Sequence, residues 1–313
     1  MHKSKCPVCG SVHTVKNGLR KGVQLYICRD CGYQFRNSRM PSDIDLWRRY
    51  QENKQTMAEL AAALGTSRSS IRRRLARVQL RWKQPFLSGG GFVHLDATYW
   101  GRNSGVMVAM DSRTGQVLYM AFIAHEKCSD YLDAVKSIEE RGYVIRGLIV
   151  DGNQAVFKRL GGRYRIQMCQ YHMLQIVRRY LTRNPKLLAS RALKSLMQRL
   201  TSMTRNEFES DYNAWKAEYR ETIGKRSLLR SGKTCYRHRR LRSAMHSIDF
   251  YLPFLFTYQD GRCMGMPNTN NKLEGTFTDM KKNLNTHSGL AQENRERFIC
   301  GFFLALNEAP GMN

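Results

Sequence analysis

The order of strands and helices predicted between residues 92 and 169 limits the fold more than any other feature of this sequence. Three apolar or alternating stretches, 92–100, 104–111 and 116–124, are separated by short turns, as in antiparallel hairpins. A helix, a buried strand at 147–151, a second helix and a last strand follow them. Because helices that alternate with strands connect parallel strands, the order β-β-β-α-β-α-β predicts a mixed sheet.

Two carboxylates close apolar strands of this predicted sheet. Asp96 ends the stretch FVHLD, and Asp151 ends the stretch GLIVD. If the two strands are parallel neighbours, both side chains emerge at the carboxyl edge of the sheet, where ligands of open α/β sheets gather. Adjacent carboxylates repel one another, and divalent cations such as Mg²⁺ relieve that repulsion. Asp-Gly is also a common turn dipeptide, so turn chemistry alone is an alternative explanation for Asp151.

Two Cys-x-x-Cys pairs lie near the N-terminus. Cys6 and Cys9 form the first pair, Cys28 and Cys31 form the second, and a glycine that permits a tight turn follows each pair. Four thiolates at this spacing close a tetrahedral zinc site, which leaves no open position for chemistry. We therefore expect a structural Zn²⁺ in a zinc ribbon over residues 1–40; four unrelated reduced thiols are the alternative.

Residues 41–87 predict a helix-turn-helix domain. Apolar residues at helical spacing lie on both sides of Gly65, and Thr66 or Ser67 can cap the second helix. That second helix, residues 67–78, is rich in arginine and is the candidate recognition helix. An ordinary helical hairpin with a solvated basic face is the alternative. The candidate DNA-binding residues are Ser67, Arg68, Ser70, Arg72, Arg73, Arg74 and Arg77.

The charge of the chain is strongly positive and unevenly distributed. There are 52 Lys and Arg residues against 25 Asp and Glu residues, which gives a net charge of +27. Residues 1–87 carry +13, residues 88–172 carry +2 and residues 173–313 carry +12. Such an excess predicts a polyanionic partner, most simply nucleic acid. The basic flanks are suited to binding it, and the near-neutral middle segment contains the aspartates described above.

A third candidate carboxylate follows a long helical segment. Residues 173–265 read as an all-α, basic segment, and the stretch MPNTNNKLEG then starts a helix. Glu274 lies beside Leu273 at the border of the buried face of this helix, so its side chain can point over the sheet edge. The rivals for this role are Glu126, Asp130 and Asp279; Asp111 fits a hairpin turn instead.

Together these features resemble the RNase H-like catalytic domain of DDE transposases. The stretch CQYH, from Cys169 to His172, resembles the Cys-x-x-His element of Mutator-type transposases and related bacterial insertion-sequence enzymes. The helical segment resembles their all-α insertion, and NTNNKLEG is similar to their Asn-rich approach to the catalytic glutamate. An N-terminal zinc ribbon with a helix-turn-helix also fits these enzymes, so the resemblance covers nearly the whole chain.

The resemblance implies a multidomain α/β fold and a set of site residues. Asp96, Asp151 and Glu274 would be the catalytic triad that binds two Mg²⁺ or Mn²⁺ ions, with Cys169 and His172 as an accessory pair near the site. The implied parts are a zinc ribbon at 1–40, a helix-turn-helix at 41–87, the first part of an RNase H-like core at 88–172, the all-α insertion at 173–265, and a C-terminal helical part of the core at 266–313.

The implied function is DNA transposition. The protein would bind the terminal inverted repeats of its own element and target DNA, cleave a strand in a metal-dependent reaction and transfer the 3′-hydroxyl. A homodimer or higher homo-oligomer is expected because two ends must be joined. With neither a signal peptide nor an apolar membrane segment, we expect a cytoplasmic, nucleoid-associated protein with no membrane partner. The alternatives are a non-catalytic zinc-ribbon and helix-turn-helix regulator, or an RNase H-like nuclease without strand transfer.

Overall fold

The chain divides into two compact units, residues 1–79 and residues 80–313. The structure is a computed structural model, and it describes residues 5–20, 23–36, 41–85, 87–229, 231–287 and 289–308. Both units mix strands and helices, and the described residues form twelve α-helices.

The first unit begins with a small antiparallel sheet and continues with three helices. Strands β1 (Thr14–Arg20), β2 (Val23–Cys28) and β3 (Gln34–Arg36) pair in the order β1-β2-β3. Helices α1 (Asp43–Gln51), α2 (Met57–Ala63) and α3 (Arg68–Arg77) follow. Thr56 and Glu59 form a capping box at the start of α2, and the Ser67 side chain caps α3 by accepting from the Ser70 amide. The buried residues that join the helices include Leu46, Leu60, Ile71 and Leu75.

The second unit is built on a five-stranded mixed sheet, as the sequence predicts. Its order is β6-β5-β4-β7-β8, in which β4, β5 and β6 are antiparallel neighbours and β4, β7 and β8 are parallel neighbours. The elements are β4 (Gly90–Gly101), β5 (Ser104–Asp111), β6 (Val117–Ile123), α4 (Cys128–Glu140), β7 (Val144–Val150), α5 (Gln154–Leu160) and β8 (Ile166–Met168). The predicted order of strands and helices is confirmed, and so is the parallel pairing of the strands that carry Asp96 and Asp151.

Side-chain alternation in β4 separates the main core from the face that carries His94 and Asp96. Val93 and Leu95 are fully buried in the main apolar core, together with residues of α4 and α5. His94 and Asp96 point to the other face, because successive residues of a strand alternate. Asp96 lies in the middle of β4 rather than at its end, since β4 continues to Gly101 in its pairing with β5.

Residues 170–263 are mostly helical. They form α6 (Gln170–Leu181), α7 (Leu188–Gln198), α8 (Arg205–Glu218), α9 (Arg220–Gly224) and α10 (Arg239–Leu255), and α6 packs against both α7 and α10. The prediction that residues 173–265 are all-α is wrong at one place, because β9 (Arg226–Leu228) and β10 (Thr234–Tyr236) form an antiparallel pair between α9 and α10. Strands of three residues are too short to leave an alternation pattern in the sequence.

The last two helices, α11 (Asn271–Asn285) and α12 (Gln292–Glu308), contact the sheet at β4 and β6 respectively. The predicted apolar stripe of α11 is buried, with Leu273, Phe277, Met280 and Leu284 between 0% and 7% exposed. Of the helices in the described part of the chain, none combines the length and the apolar character that crossing a membrane requires.

Candidate functional site

Three residues lie side by side at the carboxyl edge of the parallel strands. The last paired residues are Leu95 with Val150 in β4 and β7, and Val150 with Met168 in β7 and β8. The next residue on each strand is Asp96, Asp151 or Cys169. Because neighbouring strands are about 4.8 Å apart, the strand register alone places these three side chains at one edge of the sheet.

Glu274 and His172 reach the same edge from the first turns of two helices. His172 lies in the first turn of α6, and its Nε2 is 3.0 Å from Oδ2 of Asp151. On the other side of the ring, His172 Nδ1 is 3.2 Å from Oε1 of Glu274, which lies in the first turn of α11. The imidazole therefore stands between the two carboxylates. One donor atom from each of Asp151, Cys169, His172 and Glu274 lies within 4.8 Å of the other three.

Asp96 lies beside this group without belonging to it. Its side chain is only 8% exposed, and its Oδ1 accepts a hydrogen bond from the Ala97 amide at 2.7 Å. Burial, and then the negative charge of Asp151, raise the pKa of Asp96 well above its usual range. A cation placed among Asp96, Asp151 and Glu274 would offset the repulsion between Asp96 and Asp151, which is the second cause of that shift, and would favour the ionised forms of these side chains.

The charge of His172 compensates part of this acidic cluster. Burial lowers the pKa of an imidazole, but interactions with Asp151, Cys169 and Glu274 outweigh burial and raise the pKa of His172 to about 12. The imidazolium is then the cation that lies between Asp151 and Glu274. Oε1 of Glu274 and Nδ1 of His172 are nevertheless both buried and lack a hydrogen bond of good geometry.

Two further residues of the site were missed from the sequence. Asn270 is fully buried, and its Nδ2 donates to Oδ1 of Asp151 at 3.3 Å and to the Leu95 carbonyl at 3.4 Å. Its Oδ1 is 2.7 Å from Nδ1 of His94, which lies two residues before Asp96 on the same face of β4. The available signal was spacing, since Asn270 precedes Glu274 by one helical turn and His94 precedes Asp96 by one strand repeat.

The rival carboxylates are placed elsewhere or have other partners. Asp130 accepts from the Lys127 amide at the start of α4, and Asp279 is exposed on α11. Oδ1 of Asp111 accepts from the Thr114 amide at 2.6 Å, so its predicted role in a hairpin turn is confirmed. Glu126 is the rival that stays near the site, because it lines the same cleft as Asp151 and contributes to the raised pKa of Asp96.

A cleft of about 570 Å³ opens beside the carboxylates. Glu126, Asp151 and His172 line one part of it, and Arg179, Tyr180 and Tyr251 line another. The cleft gives a ligand direct access to Asp151. Arg179 lies on α6 two turns beyond His172. Its cationic side chain therefore lines the same cleft as the carboxylates of Asp151 and Glu126.

The four N-terminal cysteines form a second donor group. Sγ of Cys6 is 3.6 Å from Sγ of Cys31, Sγ of Cys9 is 3.5 Å from Sγ of Cys28, and all four lie within 4.8 Å of one another. Gly10 and Gly32 donate back to the carbonyls of Cys6 and Cys28 at 3.0 Å, with φ of +73° and +70°, which glycine adopts without strain. This group could hold a metal such as zinc, as the sequence predicts.

The predicted DNA-binding residues of α3 differ in their surroundings. Arg68, Arg72, Arg73 and Arg77 are exposed. Arg74 is half-buried, and its Nε lies 2.6 Å from Oδ1 of Asp43, so this side chain attaches α3 to α1. The Ser67 hydroxyl caps α3, and Ser70 is half-buried. The exposed arginines are therefore the members of this set that are available to a partner.

The donors at the sheet edge fit divalent metal ions. Asp151 and Glu274 supply oxygen atoms from the two sides of the His172 ring, and the buried carboxyl group of Asp96 lies next to Asp151. Hard cations such as Mg²⁺ bind oxygen ligands of this kind. Comparison of the chain with protein-family models and with curated proteins finds no match.

Proposed function

We propose that this chain is a DNA transposase of the RNase H-like DDE class, similar to the Mutator-like enzymes of bacterial insertion sequences. The observation that carries the proposal is the approach of Asp96, Asp151 and Glu274 to one edge of a mixed sheet whose strand order is 6-5-4-7-8. Two Mg²⁺ or Mn²⁺ ions bound there would activate the attacking oxygen and stabilise the leaving oxygen of a phosphodiester.

The residues of the chain have distinct tasks in this proposal. Asp96 and Asp151 would hold the metal ions from the sheet, and Glu274 would complete the set of oxygen ligands from α11. Asn270 orients Asp151 through the hydrogen bond from its amide group. In the first step the oxygen of water bonds to phosphorus and the bond to the 3′-oxygen breaks, which leaves a 3′-hydroxyl and a 5′-phosphate. That hydroxyl then attacks a target phosphodiester in a transesterification, and no covalent link to the protein is formed.

Basic surfaces support a DNA substrate. Exposed arginines of α3 would contact the element ends, with the zinc ribbon as a second grip. In the other unit, Arg237, Arg239 and Arg240 line a groove of about 360 Å³, and Tyr180 lines both this groove and the cleft at Asp151. The stretch 222–248 contains eight Lys and Arg residues and no Asp or Glu. A phosphodiester backbone that leaves the carboxylate cleft would meet this positive surface.

The test is metal-dependent nicking of DNA that carries the element ends. The native chain should cleave with Mg²⁺, and Asp96→Asn, Asp151→Asn and Glu274→Gln should each lose at least 100-fold in rate while still binding DNA. Asp279→Asn, which removes an exposed carboxylate from the same helix as Glu274, is the matched control and should keep the native rate. Equal cleavage by native protein and Asp96→Asn would remove Asp96 from the site.

Strand transfer separates a transposase from its rivals. Pre-cut ends with a free 3′-hydroxyl are offered together with target DNA, and joined product is measured. Cleavage that persists without any joining would favour the nuclease, and binding without either reaction would favour the regulator. A dimeric complex with two ends bound is expected during joining.

A further inference from the structure

The donor group at the sheet edge is chemically mixed. Asp151 and Glu274 offer oxygen, His172 offers nitrogen and Cys169 offers sulfur, and all four donor atoms lie within 4.8 Å of one another. Mg²⁺ prefers oxygen ligands and keeps several waters, so a thiol and an imidazole in this position serve it poorly. Thiolate, imidazole and carboxylate are together the ligands that proteins use for Zn²⁺.

The geometry of the four donors is close to that of a closed zinc site. With zinc–ligand bonds of about 2.0–2.3 Å, tetrahedral ligands lie about 3.3–3.8 Å from one another. His172 Nε2 is 3.0 Å from Oδ2 of Asp151, and its Nδ1 is 3.2 Å from Oε1 of Glu274. Because zinc binds one ring nitrogen, one of these two contacts would become a pair of zinc ligands, and the other ring nitrogen would keep its contact with a carboxylate. An inward movement of about 1 Å by the remaining pairs, which lie at or below 4.8 Å, would complete the tetrahedron.

Two buried atoms of this group lack a hydrogen bond of good geometry. They are Oε1 of Glu274 and Nδ1 of His172, which lie 3.2 Å from one another. Cys169 is fully buried, and its Sγ accepts a hydrogen bond from the backbone N–H of Asn270 at 3.2 Å. A backbone N–H directed at sulfur is an arrangement that stabilises a thiolate ligand.

We propose that Asp151, Cys169, His172 and Glu274 form a second zinc site, and that zinc bound there blocks the site for Mg²⁺. On binding, the thiol proton of Cys169 and one ring proton of His172 leave to solvent, and zinc forms bonds with sulfur, nitrogen and two carboxylate oxygens. Four protein ligands leave no open position for water, so the zinc form is inactive. The inhibitory part rests on the proposed function of the site, whereas the binding part does not.

Zinc stoichiometry tests the binding. The full-length chain is saturated with Zn²⁺, dialysed against metal-free buffer and analysed for metal, and two zinc ions per chain are expected. Cys169→Ser, which keeps an acceptor for the Asn270 amide, should retain one, and so should Cys28→Ser in the ribbon. Cys263→Ser, which changes another fully buried cysteine outside both groups, should retain two. A native chain with one zinc, or a Cys169→Ser chain with two, would overturn the proposal.

Cobalt provides a readout that does not depend on the folding of a variant. In the native chain, Co²⁺ should fill the four-cysteine site and a second site with a single thiolate, whose sulfur-to-cobalt absorption is correspondingly weaker. Saturation of the absorption at one equivalent of Co²⁺ would contradict a second site.

Inhibition is measured separately, at fixed Mg²⁺, in the DNA-cleavage assay. Zinc should abolish cleavage by the native chain, and a chelator followed by Mg²⁺ should restore it. In Cys169→Ser, at least tenfold more zinc should be required for the same inhibition. Faster cleavage with zinc than with Mg²⁺ would overturn the inhibitory role. If the native chain cleaves with no metal, the proposed function fails, while the stoichiometry still decides whether the zinc site exists.

Discussion

Asn270 donates a hydrogen bond from its side-chain amide to Oδ1 of Asp151 across 3.3 Å, and so connects the start of α11 to the end of β7. The oxygen of this side-chain amide, Oδ1 of Asn270, lies 2.7 Å from Nδ1 of the buried His94. Because Glu274 is one helical turn further along α11, Asn270 fixes the helix that carries Glu274 against the strand that leads to Asp151. We interpret it as a positioning residue.

Asn270→Ala should lower metal-dependent cleavage at least tenfold. It removes the hydrogen bonds to Asp151 and His94 and leaves buried polar groups without partners, which costs about 1–3 kcal/mol of unfolding free energy. Rates at saturating Mg²⁺ and denaturant unfolding curves check both effects. Asn271→Ala changes the exposed neighbour and should alter neither. Full activity in Asn270→Ala would show that Asp151 needs no orientation by this residue.

The sequence predicted the elements better than it predicted the contacts between them. The strands from 92 to 169 and the stripe on α11 follow from repeats of 2 and 3.6 residues, which a linear pattern records. His94 and Asn270 lie 176 residues apart, so no local pattern indicates their hydrogen bond. The ion pair of Arg74 with Asp43 was missed for a similar reason, because an arginine in a basic helix reads as solvated until its neighbour in space is known.

The turn after β5 should depend on the ionised form of Asp111. Burial alone would raise the pKa of Asp111, but hydrogen bonds from Tyr143, Thr114 and Arg113 outweigh burial and lower it. A carboxyl group whose folded pKa is lowered contributes stability above its unfolded pKa of about 4. That contribution is lost as the pH falls from about 4 through the folded pKa.

Thermal unfolding between pH 2 and pH 7 checks this sign. Asp111→Asn should lower the unfolding free energy at pH 7 by about 1–3 kcal/mol. The difference in unfolding free energy between the variant and the native chain should become smaller as the pH falls below about 4. An equal difference at every pH would show that the charge of Asp111 is not the stabilising feature. Asp133→Asn, in an exposed position on α4, is the control.

Cys28→Ser should prevent zinc binding by the four N-terminal cysteines and unfold the segment from residue 5 to residue 36. The backbone N–H of Cys31 lowers the pKa of the Cys28 thiol to about 6, which favours the thiolate that zinc requires. In a module as small as this one, the free energy of zinc binding supplies most of the free energy of folding. Limited proteolysis and zinc analysis check both results. The unit formed by residues 80–313 has its own apolar core and should stay folded. Retained ribbon zinc would contradict the assignment.

Substitution of two neighbouring arginines of α3 should affect different properties, DNA binding in one case and stability in the other. Arg73 is exposed, and Arg73→Ala should weaken binding of element-end DNA by about 1–3 kcal/mol without changing stability. Arg74 binds Asp43, and Arg74→Ala should instead lower the unfolding free energy by about 1–2 kcal/mol, a value reduced because the pair is partly solvated. Binding titrations and unfolding curves on the same proteins separate the two. Equal effects of both substitutions on DNA binding would show that α3 contacts DNA through a different face.

The groove at the start of α10 should bind the phosphate backbone without reading sequence. Arg237 and Arg239 are exposed there, whereas Arg240 donates to the Arg179 carbonyl at 2.6 Å and has a structural task. Arg237→Ala and Arg239→Ala should each weaken DNA binding to a similar degree on element-end and unrelated DNA. Each substitution should also reduce the slope of log affinity against log salt by about one, because one phosphate contact is lost. Arg220→Ala removes an exposed arginine outside the groove and should leave the slope unchanged. A variant that makes one phosphate contact fewer releases fewer counterions when it binds DNA. If the slope of log affinity against log salt is unchanged in both groove variants, the groove does not contact the DNA backbone.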